Sequence, residues 1–115
     1  MKAYDAVVDF RTRVNDRVQP YKNEDVVVTA WLNDAIRQIA KARPDALSSG
    51  LITTSLPAEV TDISSSGDDL PVNDFFKEAC VLFLCSKSYA EAKEMAAANE
   101  KYAGFLMELK KYATP

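Results

Sequence analysis

An amphipathic repeat over residues 24–45 most constrains how this chain folds. Its apolar residues recur at the i, i+3, i+4, i+7 spacing of one helical face, at Val28, Trp31, Leu32, Ala35, Ile36 and Ile39. Its polar residues take the other side, at Asn33, Asp34, Arg37, Gln38 and Lys41. Asn23 is placed to cap the first amides, and Pro44 ends the helix because it disfavours helical geometry at the residue before it. The repeat predicts a long helix whose Trp31, the only tryptophan, anchors the core.

A helix is also predicted before this repeat, at residues 2–18. Its narrow apolar stripe comprises Ala3, Val7, Phe10 and Val14. Its charged residues are expected to face outward, at Asp5, Asp9, Arg11, Arg13 and Arg17. Asp9 lies four residues before Arg13, which favours an exposed ion pair. The short connection at 19–23 favours antiparallel neighbours, so this helix is expected to lie against the Trp31 face.

The third predicted helix begins between Pro71 and Asp74 and continues to about Ser88. Its centre, residues 79–85, is apolar on every side, which indicates a helix that is surrounded. A chain of 115 residues has few elements with which to cover such a helix, so oligomerisation is expected to cover the remainder. Cys80 and Cys85 diverge on this helix and are predicted to be unbridged core residues.

Residues 89–112 predict a fourth helix, or a continuation of the third with a kink near residues 87–90. A mostly apolar set of positions alternates at four and three, which is typical of a packed seam, at Met95, Asn99, Tyr102, Leu106, Leu109 and Ala113. Gly104 costs about 1 kcal/mol relative to alanine inside a helix. It is expected to mark the close approach of another helix.

The segment at about 45–71 lacks a helical period and reads as an insertion between the second and third helices. Residues 51–56 and 60–63 are β-prone and fit a short hairpin, with Pro57 at an edge or in the turn. Residues 64–69 read as a flexible acidic loop. The predicted fold is a single all-α, four-helix domain over residues 1–115 with a long loop or β-hairpin-like insertion.

The absence of histidine excludes the Ser-His-Asp and Cys-His classes of catalytic site. The sequence also has no glycine-rich phosphate loop and no clustered cysteines for zinc. The remaining candidates are the carboxylates of Asp68, Asp69, Asp74 and Glu78, which would suit a divalent cation. Their position around the start of the third helix already explains them through the helix dipole. We therefore predict no enzyme activity, cofactor or metal, with a carboxylate enzyme as the lesser alternative.

Charge argues against a dedicated nucleic-acid protein. The formal net charge is -3, and acidic residues accompany the arginines of the N-terminal half. A small helical DNA-binding or regulatory protein nevertheless remains the leading alternative function. The N-terminus lacks the apolar segment of a secretory signal, and the longest apolar run is too short for a membrane span, so a cytoplasmic protein is expected.

Residues 31–46 resemble a signature of small adaptor proteins of tailed bacteriophages. The shared pattern is Leu32-Asn33-Asp34, an aliphatic-rich turn, and Arg43-Pro44-Asp45. A loop ending in residues 69–72, a long apolar helix and a small-residue last helix with Tyr102 also match that family in order.

The resemblance implies a virion structural protein at the head-to-tail connector, made in the host cytoplasm. Such subunits form a homo-oligomeric ring, usually a dodecamer, beneath the portal protein, and they join tail or nozzle proteins around the packaged DNA. A protruding segment that orders against neighbours is also implied. The interaction candidates are Leu51, Ile52, Thr53, Asp68, Asp69 and Phe76. The acidic stretch at residues 62–74 is expected to face either the DNA channel or a basic neighbour.

Overall fold

The computed structural model describes residues 3–16, 18, 22–42, 72 and 76–111. Within these residues the chain is all-α. The four helices are α1 (Ala3–Arg13), α2 (Asp25–Ala42), α3 (Lys77–Glu91) and α4 (Met95–Lys111). This confirms the predicted helical class and the number of helices. The predicted hairpin-like insertion at 45–71 lies outside the described residues.

Two helix ends differ from the prediction because both close in Schellman motifs. Asn15 takes a positive φ of 57° after α1, while the Asp16 amide donates to the Arg11 carbonyl over 2.8 Å. α1 therefore stops at Arg13 instead of residue 18. Lys93 takes a φ of 61° after α3, and the Glu94 amide donates to the Tyr89 carbonyl over 2.9 Å. α3 and α4 are therefore separate helices, and the break lies at 92–94 instead of 87–90.

α3 lies at the centre of the domain and packs along α4 and against both α1 and α2. The prediction that α1 lies along the Trp31 face of α2 is wrong, because both helices use their apolar faces against α3. α3 can accept them because it is apolar around most of its circumference, as its sequence predicts.

The core combines the predicted stripes of the first three helices. The six apolar positions predicted for α2 are buried, and so are Ala3, Val7 and Phe10 of α1. Asn33 is an exception, since it was predicted to face outward and is buried. Among residues 79–85, all but the partly buried Leu82 are buried by the chain itself. The expected need for a second subunit to cover α3 therefore falls away.

The phase predicted for α4 is wrong. Of the predicted seam, Leu109 is buried, Met95, Asn99, Tyr102 and Leu106 are exposed, and Ala113 lies outside the described residues. Ala98 and Phe105 join Leu109 on the buried side because the Phe105 ring packs edge-on against Phe83 at 5.2 Å. The close approach predicted at Gly104 is confirmed, since a Cβ there would lie 3.3 Å from Leu82 Cδ1.

Among the described residues, no helix combines the length and apolar character that crossing a membrane requires.

Candidate interaction surfaces

A buried arginine at the end of α1 organises the polar contacts between α1 and α2. Arg11 is only 4% exposed, although its sequence position predicted an outward-facing side chain. Its Nη1 donates to Asp16 Oδ2 and to the Asn23 carbonyl, each over 2.9 Å. Its Nη2 donates to Asp25 Oδ1 over 2.7 Å. These bonds hold the start of α2 against the end of α1, because each buried N–H needs an acceptor.

Asp16 receives most of its partners from the connection between the two helices. The Lys22 amide donates to Asp16 Oδ1 over 2.7 Å, and the Asn23 amide donates to Oδ2 over 3.0 Å. Burial alone raises the pKa of Asp16, but these amides, the Asn23 side chain and the Arg11 charge together hold that pKa below its usual value. The carboxylate therefore stays ionised and fixes the path of the connection.

Asn23 extends this network to α3. Its Nδ2 donates to Asp16 Oδ2 over 3.1 Å and to Ser88 Oγ over 3.2 Å. The predicted helix cap at Asn23 is therefore replaced by a bridge between the connection and α3, and the Glu24 carbonyl accepts the first amide bonds of α2. The sequence offered one signal for the network, which is the density of Asp and Asn residues around the turn.

An open cleft of about 450 Å³ lies beside Asn23 and Ser88. We name it the Trp31 cleft. It is lined by Lys22, Asn23, Glu24, Val27, Trp31, Ser88, Glu91 and Ala92. Val27 is exposed in it, and the neighbouring Val26 is 73% exposed. The cleft therefore offers an apolar wall with a charged rim to a binding partner.

A second candidate surface follows the exposed side of α4, and we name it the α4 surface. It comprises Met95, Ala96, Asn99, Tyr102, Ala103, Leu106, Met107 and Lys110. The large apolar members are exposed, with Met107 at 72% and Met95 at 55%. Tyr102 borders α2, where its hydroxyl donates to Gln38 Oε1 over 3.3 Å. An exposed helix face on which large apolar side chains predominate is typical of an interaction site.

Each arginine in the described part of the chain forms an ion pair with at least one carboxylate. Arg13 makes a bidentate contact with Glu78 at 2.6 Å and also reaches Asp9 at 3.2 Å, which confirms the predicted Asp9–Arg13 pair. The bond to Glu78 raises the pKa of Arg13. Arg37 contacts Asp34 at 2.9 Å. This pairing reduces the positive surface that duplex DNA needs, so the geometry adds no support to the DNA-binding alternative, which stays a prediction.

The thiols have the structural role that the sequence predicts. Cys80 and Cys85 are both free and buried. Burial raises the pKa of Cys80 to about 12 and that of Cys85 to about 11, so both are protonated at neutral pH. Within the described ranges, His, Cys, Asp and Glu form no group of three or more that could hold a metal ion.

The predicted interaction residues are mostly untested by the fold. Leu51, Ile52, Thr53, Asp68 and Asp69 lie outside the described residues, as does Asp74 of the carboxylate cluster. Phe76 directly precedes α3 and is buried in the core at 4% exposure. The structure does not bring Phe76 to a surface, and the interaction role of the other five stays a prediction.

Compared with family models, with curated proteins and with solved structures, the chain shows no significant match.

Proposed function

We propose that this protein is a head-to-tail adaptor subunit of a tailed bacteriophage. It assembles as a ring, twelvefold by the family pattern, under the portal protein and joins the portal to tail or nozzle proteins around the DNA channel. The resemblance at residues 31–46 supplies the family. The exposed α4 surface is the structural observation that carries the proposal, because it points to protein assembly.

The contrast between α3 and α4 supports an assembly role. The domain buries the apolar centre of α3 with its own residues, apart from the partly buried Leu82. It nevertheless leaves Met95, Leu106 and Met107 exposed along one helix. A folded domain that has satisfied its core and still exposes such a stripe is suited to binding another protein surface.

The experiment is a measurement of mass by light scattering, on the purified protein alone and after mixing with the portal ring encoded in the same genome. The adaptor role predicts addition to the portal in a fixed ratio that matches the portal's subunit number. The same measurement on the Met107→Glu variant tests the α4 surface, because this variant is expected to add fewer subunits per portal than the wild-type protein does.

A protein that leaves the portal's mass unchanged at every ratio contradicts the adaptor role. A stable dimer that ignores the portal and gains mass with duplex DNA, with an affinity that falls steeply as salt rises, favours the regulatory alternative.

A further inference from the structure

The two surfaces described above complement each other in charge. The rim of the Trp31 cleft carries Glu24 and Glu91 against the single cation of Lys22, so it is net negative. Among the described residues that define the α4 surface, Lys110 is the one with a charge, and it lies beside Leu106 and Met107, while the exposed Glu100 borders the surface. The net negative rim of the cleft and the positive charge of the α4 surface therefore complement each other, and both surfaces also expose apolar side chains.

The cleft and the basic end of the α4 surface cannot meet within one chain. Ala92 lines the cleft directly before α4 begins at Met95. Lys110 lies in the last turn of α4, and a rise of 1.5 Å per residue places it about 22 Å along the helix from Met95. The helix thus carries Lys110 away from its own cleft, and only a second copy can bring the two together.

We propose that the end of the α4 surface of one copy docks into the Trp31 cleft of another copy, head to tail. Leu106 and Met107 cover the exposed Val27 side of the cleft. Lys110 lies between Glu24 and Glu91 on its rim. The proposal rests on the assembly role proposed above and supplies the interface between neighbouring subunits of the ring.

This interface is heterologous, because two different patches of the same chain meet. A heterologous contact repeats from copy to copy and gives a ring when the rotation closes. An isologous contact, such as α4 against α4, would stop at a dimer. The heterologous and isologous arrangements can therefore be distinguished by mixing two variants, each of which has one of the two surfaces disabled.

The experiment uses two variants that each disable one surface, Met107→Glu for the α4 surface and Glu91→Lys for the cleft. Wild-type protein is expected to form species larger than a dimer as its concentration rises in sedimentation velocity. Each variant alone is expected to associate about tenfold or more weakly, which corresponds to the loss of one good contact. An equimolar mixture is expected to form a dimer and nothing larger, because one intact α4 surface meets one intact cleft.

Charge exchange gives a second readout. Lys110→Glu alone is expected to weaken association, and the double variant Lys110→Glu with Glu91→Lys is expected to recover most of it, because opposite charges again face each other. Lys41→Glu is the matched control, since Lys41 occupies the last turn of α2 as Lys110 does that of α4. Tyr4→Glu is the control for Met107→Glu, because Tyr4 is exposed outside both surfaces.

Far-UV circular dichroism checks that each variant is folded. Wild-type protein that stays monomeric at every concentration overturns the proposal. So does a dimer that Glu91→Lys leaves intact, or a mixture of the two variants that forms no dimer. Head-to-tail association without portal binding would keep this interface and reject the adaptor role. Portal binding that Met107→Glu and Glu91→Lys both leave unchanged would reject the interface and keep the role.

Discussion

At the scale of single residues, Arg11 matters most to the described part of the chain. It is a buried cation whose partners come from the end of α1, the connection and the start of α2. A buried ion pair contributes little compared with a well-packed apolar pair, but removal of one partner leaves the other charge buried without compensation. Replacing Arg11 by an uncharged residue of similar volume is therefore expected to destabilise the fold.

We expect Arg11→Met to lower the free energy of unfolding by about 3 kcal/mol, because Asp16 is left buried without its cation. Urea denaturation followed by circular dichroism measures this loss. The control is Arg37→Met, whose pair with Asp34 is half exposed on each side and is expected to contribute less than about 1 kcal/mol. Equal losses in the two variants would show that the Arg11 network has no special role.

Acid should weaken the same network. The pKa of Asp16 is lower in the folded protein than its ordinary value of about 3.9. The stability that Asp16 contributes is therefore fully present above that value and is lost as the pH falls through the folded pKa. We expect Asp16→Asn to be less stable than wild type at pH 6 and to lose less stability on acidification.

Urea midpoints between pH 6 and pH 2 test this expectation. Asp34→Asn serves as the control, because Asp34 is half exposed and lies outside the Arg11 network. Parallel profiles for wild type and Asp16→Asn would contradict the role of Asp16.

The burial of Arg11 could not be predicted from the sequence of α1 alone. Within α1, Arg11 sits among charged neighbours, and its charge favours an outward orientation, although it lies four residues after Val7 and eight after Ala3 of the apolar stripe. Its burial depends on Asp16 and Asn23, which lie beyond the end of the helix and reach it only after the chain turns. Helical periodicity carries no information about acceptors outside the helix, so the outward orientation was the natural prediction.

At the scale of elements, α2 was predictable and α4 was not. The face of α2 is marked by large apolar residues from Val28 to Ile39, so its phase is unambiguous. α4 has an alanine-rich first half and large apolar residues on more than one side, including Phe105, Leu106 and Met107. Its phase is set by the Phe105–Phe83 contact, which a single helix cannot reveal.

Gly104 gives a prediction at this scale. Alanine at this position gains about 1 kcal/mol of helix propensity, and the Leu82 methyl group that it meets at 3.3 Å belongs to a partly buried side chain that can move slightly. We expect Gly104→Ala to be neutral or to raise the free energy of unfolding by up to about 1 kcal/mol.

Gly104→Leu is expected to lower it by about 1–3 kcal/mol, because the larger side chain overpacks the contact between α3 and α4. Thermal melts of both variants distinguish the effects. A stabilising Gly104→Leu would show that the two helices are not in close contact at this point.

At the scale of the whole molecule, one apolar cluster includes residues from all four helices. A small domain with a single core usually unfolds as one cooperative unit. We expect the unfolding curves from Trp31 fluorescence and from far-UV circular dichroism to coincide in urea. Because Trp31 reports α2 and circular dichroism reports all helices, an earlier loss of ellipticity would show that some helices unfold independently.

The overall class was accessible from sequence because each helix carries its own apolar pattern. The arrangement was not, because the sequence suggested that α3 exceeds what one small domain can cover. α1, α2 and α4 all pack on it. The proposed assembly therefore depends on the exposed residues of α4 and not on an uncovered α3.

The central position of α3 also has a consequence for folding while the chain is being synthesised. α1 and α2 are synthesised first, yet the helix on which both pack lies after residue 76. Synthesis proceeds at about 5–20 residues per second, so the apolar faces of α1 and α2 wait on the order of seconds for their partner. The protein therefore most needs protection from aggregation during the period when α1 and α2 have been synthesised and α3 has not.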